Sequence, residues 1–146
     1  MELLNITSKI TPSQDKTHIT HRFNIENSPE RLIIEFSYSP REIKSDAHAL
    51  EILKDAFEKY EIKNRKTVDF LPLKNLVTIS VDSPQGYAGA AHRGESHQIH
   101  EIGENYSSSG FEKCKIQNGE WKIVLSVHCA LSEINYSLKI HTGGKK

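Results

Sequence analysis

Histidines are the first residues of this chain that could do chemistry. There are eight, and the tightest group, His92, His97 and His100, is spaced with four and then two intervening residues. A zinc site needs four protein ligands when closed, or three and a water when open, so this group sets up one reading, a small metal-dependent hydrolase. The neighbouring carboxylates Glu95, Glu101 and Glu104 would then supply acid and base. That reading requires at least three of His92, Glu95, His97, His100 and Glu101 to meet at one point. Strand parity opposes it. If 97–102 is a strand, positions three apart point to opposite faces, which separates His97 from His100 and, by the same count, His18 from His21. His128 belongs on an outer sheet face and His141 near the chain end. Nucleophilic and phosphate-binding patterns are missing too. There is no Gly-x-Ser-x-Gly elbow, and Gly86, Gly89 and Gly94 are loosely spaced with no helix to follow them. The expectation is a chain without catalytic residues or cofactor, with His92, His97 and His100 as the alternative metal ligands.

The stretch that carries this group, 76–94, starts as an alternating strand and turns at Ser83-Pro84-Gln85-Gly86 into a small-residue loop. Taken as one loop, 82–95 presents Tyr87, His92, Arg93 and Glu95. Exposed Tyr, His and Arg side chains on a glycine-shaped loop suit stacking and hydrogen bonding to a partner protein, a glycan or another small polar ligand. A plainer role competes at Arg93, which would pin the loop by pairing with Asp82 or a nearby Glu.

Most elements that must hold this stretch read as strands. Ile19, His21, Phe23 and Ile25 alternate with Thr20, Arg22 and Asn24; Leu32, Ile34, Phe36 and Tyr38 alternate up to Pro40, which cannot donate to a ladder. Further strands are expected at 67–71, 76–81, 97–103, 111–116 and 121–129, with a last one carrying Tyr136, Leu138 and Ile140. Asn118-Gly119 reads as a type I′ hairpin turn, facing Ile116 to Trp121 and Cys114 to Ile123. Between 45 and 60 the period changes, and Leu50, Leu53, Phe57 and Tyr60 form one helical stripe behind Ser45 as cap. Six to eight alternating strands with one helix describe an all-β fold, an antiparallel β-sandwich, jelly-roll-like, with one inserted α-helix around 45–60. Repeated crossover helices and doubly apolar strands, the marks of a parallel sheet, are missing.

Composition bounds the rest. At 146 residues, with 36% hydrophobic and 26% charged residues, one domain with its own core is expected. It divides into a leader at 1–16, the domain at 17–142 and a tail at 143–146. A formal net charge of zero offers no concentrated basic surface for nucleic acid or an anionic membrane. The N-terminus has no basic region or apolar run of signal-peptide length, which points to the cytoplasm. Cys114 and Cys129, out of register for a bridge, are expected as reduced, packed thiols. An exposed strand edge or the helix stripe leaves room for a homo-oligomer.

The segments Asp82-Ser83-Pro84-Gln85-Gly86-Tyr87-Ala88-Gly89-Ala90-Ala91-His92-Arg93-Gly94, Asn118-Gly119-Glu120-Trp121-Lys122-Ile123 and Asn135-Tyr136-Ser137-Leu138-Lys139-Ile140 resemble the N-terminal β-sandwich found ahead of the catalytic domain in CehA- and McbA-like metal-dependent phosphoesterases. More loosely, the chain is similar to the pre-peptidase C-terminal type of β-sandwich. The likeness spans about 18–141. It implies a sandwich fold and an accessory role, in contact with a partner or a separately encoded enzyme. It carries over no metal ligands, since the His-x-His pair of the catalytic domain has no counterpart here.

Overall fold

The computed structural model describes residues 1–43, 51, 52, 54 and 73–143. Among them, eight strands form two antiparallel four-stranded sheets: β1 (Glu2–Ile10), β2 (His18–Ile25), β3 (Arg31–Ser39), β4 (Leu76–Ser83), β5 (Gly86–Ala91), β6 (His97–Gly103), β7 (Gly119–Cys129) and β8 (Ile134–Gly143). One sheet has the order β1-β8-β3-β6 and the other β2-β7-β4-β5. Only the β4–β5 hairpin stays within a sheet; each other connection between successive strands crosses to the opposite one. The sandwich core follows from period two. Leu32, Ile34, Phe36 and Tyr38 on β3 and Trp121, Ile123, Leu125 and Val127 on β7 are buried, while the residues between them are partly exposed. Each large apolar side chain removed from water in this way contributes about 1.5–3 kcal/mol.

Several expectations change. The stretch 1–16, read as a leader, holds β1 and a short 3-10 turn (Pro12–Gln14). β1 pairs with β8 from Glu2 opposite His141 to Ile10 opposite Ile134. Leu4, Ile6 and Ile10 do alternate, but Ser8 interrupts their row and a bulge between Glu2 and Leu4 breaks the register, which hides the strand from its pattern. The hairpin at Asn118-Gly119 is not formed. Gly119 has the positive φ (126°) that the dipeptide signals, but it opens β7 opposite Ile25, and Trp121 faces Phe23 of β2. The residues before it cross between sheets, so 111–116 is no strand and pairs only by one bridge, Phe111 to Gly89. Cys114 nonetheless packs against the core. Gly143, assigned to the tail, ends β8 opposite Arg31.

The helix expected at 45–60 lies, but for Glu51, Ile52 and Lys54, outside the described residues, as does the strand at 67–71. Among the described residues no helix is long and apolar enough to cross a membrane. Both cysteines are free. Burial pushes both thiols up, helped by Glu112 at Cys114 and by Asp15 at Cys129, so neither is poised as a thiolate.

Candidate functional site

The segment 82–95 is two structures rather than one loop. Ser83-Pro84-Gln85-Gly86 is a tight hairpin turn, closed by the Ser83 hydroxyl, which donates to the Gly86 carbonyl and accepts from the Gln85 amide, both at 3.1 Å. Tyr87 follows on β5 and is 61% exposed. His92, Arg93 and Glu95 lie beyond the far end of that strand and are also exposed. Five residues of extended chain span about 16 Å, so Tyr87 does not share a patch with the other three.

The loop 92–96 is held from beneath. Gln98, 4% exposed, donates its amide to the carbonyls of Arg93 (3.0 Å) and Glu95 (2.9 Å). The Tyr38 hydroxyl donates to the Gly94 carbonyl at 2.6 Å, and the Tyr38 amide to that of Ser96 at 2.9 Å. Four consecutive carbonyls are thus taken by two buried residues. Arg93 does not pair with Asp82 or a glutamate among the described residues; its guanidinium donates to the Ser109 carbonyl at 3.2 Å. It still pins the loop, but through backbone. Gln98 was not singled out by its sequence context, where it reads as one polar residue in an alternating strand.

Beneath Gln98 sits His100, 3% exposed and tilted against Phe111 with ring centroids 4.8 Å apart. Because the Gln98 amide nitrogen is committed to two carbonyls, its oxygen must accept, and His100 Nε2 is the donor at 2.8 Å. Burial, followed by the nearby Arg93, lowers the His100 pKa, with Glu95 opposing. His21 is likewise lowered by burial and lies 3.0 Å from the Tyr136 hydroxyl of the opposite sheet. Both imidazoles therefore resist protonation in the folded state, whereas the unfolded chain takes up protons below about pH 6.5. Stability from these residues is complete above that pH and falls as the pH drops from there toward the lowered folded-state value. The slope cannot exceed about 1.4 kcal/mol per pH unit for each histidine. Urea unfolding at pH 8, 7, 6 and 5.5 will show this decline, and His100→Gln will flatten it. Identical slopes for the variant and the parent chain would remove His100 from the account.

As metal ligands the three histidines do not converge. His97 is exposed on the outer face of β6 and His100 points into the core, as parity requires, while His92 lies on the loop. Among the described residues no three His, Cys, Asp or Glu side chains are grouped to hold a metal ion. His18 bonds Ser126 (3.0 Å) and His128 bonds Thr78 (2.7 Å), each within its own sheet.

A concave surface lies at the end of the sandwich where the β2–β3 loop meets the β6–β7 connection. One hollow, of ≈ 500 Å³, is lined by Ser28, Pro29 and Glu30 from the first and by Glu104, Lys115, Ile116, Gln117 and Asn118 from the second. A neighbouring hollow of ≈ 280 Å³ shares Glu30 and Glu104 and adds Arg31, Glu101, Gly103, Asn105 and Tyr106. The rim is fixed by unusual backbone. Asn27 and Ser28 are consecutive non-glycine residues at positive φ (64° and 38°), a conformation that costs free energy and recurs at ligand-holding sites. The Asn118 carboxamide oxygen accepts from the Ser28 amide at 2.8 Å and ties the two walls together. In the second hollow Arg31 pairs with Glu101 at 2.9 Å, their side chains only 25% and 15% exposed. Tyr106 beside them is 56% exposed. In the sequence this place is marked only by Asn27-Ser28-Pro29-Glu30 and Asn118-Gly119, residue types that favour turns, and each reads alone as a turn.

The fold and this surface define an all-β sandwich with a polar end cleft. No family model and no curated protein matches the chain. A crystal structure of a protein from Sulfurospirillum deleyianum is similar over 94% of this chain and 98% of its own, at 9% identity and a TM-score of 0.35.

Proposed function

We propose that this chain is a non-catalytic β-sandwich binding module that takes a small polar, hydroxyl-rich ligand, such as the end of a glycan, in the cleft between the β2–β3 loop and the β6–β7 connection. The observation that carries the reading is the pair of adjoining hollows sharing Glu30 and Glu104. Their lining combines amides, carboxylates and a lysine with an exposed tyrosine, the mixture of planar hydrogen-bonding groups and aromatic surface that suits hydroxyl-rich molecules.

The strand orders β1-β8-β3-β6 and β2-β7-β4-β5 support reading the sandwich as an eight-stranded jelly roll. Free thiols with raised pKa suit a reducing compartment, in keeping with a cytoplasmic setting. The resemblance to the sandwich ahead of phosphoesterase domains adds an accessory role beside a separately encoded enzyme. A second reading assigns the recognition of a partner protein to His92, Arg93 and Glu95, favoured by the way Gln98 and Tyr38 hold that loop.

A glycan array probed with the purified chain separates the two. Binding is expected, and Tyr106→Ala and Glu104→Gln should each weaken it at least tenfold while Arg93→Ala leaves it intact. An array with no signal, or a signal that Tyr106→Ala and Glu104→Gln leave unchanged, would reject the cleft as the site.

A further inference from the structure

The four outer edges of the two sheets are not treated alike. The β6 edge is capped by Ser108, whose amide donates to the Glu101 carbonyl (2.8 Å) and whose hydroxyl accepts from the Glu101 amide (2.9 Å). The β5 edge is covered next along the same connection, where the Ala90 amide donates to Gly110 (3.1 Å) and that of Glu112 to Ala88 (2.9 Å). On the β2 edge stand His18 and Arg22, the latter paired with Glu120 at 2.8 Å, a charged edge of the kind that discourages pairing. β1 has β8 as its only described strand neighbour. Its sequence from Leu4 to Ser8, between the bulge at Glu2/Leu4 and the Lys9–Glu133 ion pair, is uncharged and free of proline and glycine, so among the described residues this part lacks those safeguards. Unpaired amides and carbonyls along such a strand are a template for another strand.

We propose that β1 is the docking edge for a second copy of this chain, joined antiparallel about a two-fold axis into one eight-stranded sheet. The charges select this occupant and this direction. Glu2 stands at one end of the strand and Lys9, 3.1 Å from Glu133 of its own chain, at the other, so antiparallel copies bring Glu2 of one toward Lys9 of the other at both ends, whereas parallel copies would bring lysine to lysine and glutamate to glutamate. Facing residues of an antiparallel pair share a face. With the axis at Asn5, Leu4 of each copy lies opposite Ile6 of the other on the core side. Leu3, Leu4 and Ile6 are partly exposed hydrophobics packed at the margin of the core, and the pairing would shield what remains open. Because the contact is isologous it closes at two copies rather than propagating.

Sedimentation velocity on the full chain, from micromolar to millimolar concentration, tests this. The mass should rise from 16.6 kDa toward twice that value. Asn5→Lys/Thr7→Lys, two substitutions at exposed positions, should weaken the association at least tenfold while circular dichroism and melting temperature hold. Asn24→Lys on the exposed face of β2 should not alter it. A single 16.6 kDa species at every concentration overturns the proposal. So does an association that survives the β1 lysines or is lost with the β2 lysine.

Discussion

Replacing Gly89 with alanine will destabilise the fold by roughly 3 kcal/mol, the sum of a backbone penalty and a steric one. Gly89 has φ +134°, a region that L side chains rarely adopt. A Cβ there would also run into the carbonyl oxygen of Gly110 and approach Phe111 Cα to 2.6 Å and its Cδ1 to 2.9 Å. Most of these neighbours are backbone, which cannot swing aside. Gly110 is the other half of the arrangement, with φ +93° and a would-be Cβ against the Ala90 carbonyl. The two glycines let the chain after β6 lie directly on the β5 edge, and that seats Phe111, 8% exposed, against His100. At about 2–4 °C per kcal/mol for a domain of this size, the melting temperature should fall by about 6–12 °C. Gly86→Ala is the internal control. Gly86 shares the positive φ (125°) but has nothing within 4 Å of a built Cβ, so it should cost only about 1 kcal/mol. Equal losses for Gly86→Ala and Gly89→Ala would mean that backbone strain alone, not close approach, explains both.

These two glycines also mark the boundary of what the sequence discloses. Strands with an unbroken apolar face were legible: Leu32, Ile34, Phe36 and Tyr38 on β3 and Trp121, Ile123, Leu125 and Val127 on β7 declare their burial by alternation. Local punctuation was legible as conformation but not as topology. Asn118-Gly119 signals positive φ, and Gly119 has it, yet the same backbone serves a hairpin and a crossing between sheets. Which one forms depends on the distant partners Phe23 and Ser28. β1 was illegible because Ser8 occupies an inward row and β8 supplies the pairing from the other end of the chain. The candidate cleft was hidden for a related reason. Glu30 and Glu104 are seventy-four positions apart by number and neither has a distinctive neighbourhood. Only the crossings between sheets bring their loops together. Parity arguments travelled further than motif arguments, since the opposed faces of His97 and His100 need nothing beyond a strand.

Asn75→Ala should cost a similar amount through a different mechanism, because one buried carboxamide joins three separate parts of the chain. Asn75 is 1% exposed and stands at the entry to β4. Its side-chain nitrogen donates to the Pro40 carbonyl at 2.9 Å and to the Ser132 hydroxyl at 3.0 Å, while its oxygen accepts from the Leu131 amide at 2.8 Å. The end of β3, the start of β4 and the β7–β8 loop are thereby fixed to one another. Alanine removes all three bonds and leaves the Leu131 amide and the Pro40 carbonyl without that partner. Each buried polar group left unsatisfied costs about 1–3 kcal/mol, so a total near 3 kcal/mol is expected, again about 6–12 °C in melting temperature. Ser132→Ala should cost less than 1 kcal/mol, since the Asn75 amide keeps Pro40 and the Leu131 contact is untouched. The backbone amide of residue 75, which donates to the Arg41 carbonyl at 2.7 Å, survives in every variant, so the difference isolates the side chain. Chemical denaturation of the parent chain, Asn75→Ala and Ser132→Ala under one condition reads it directly. Two variants of equal stability would show that the carboxamide does not clamp the loops, and that packing around Pro40 and Leu131 holds this end of the sandwich.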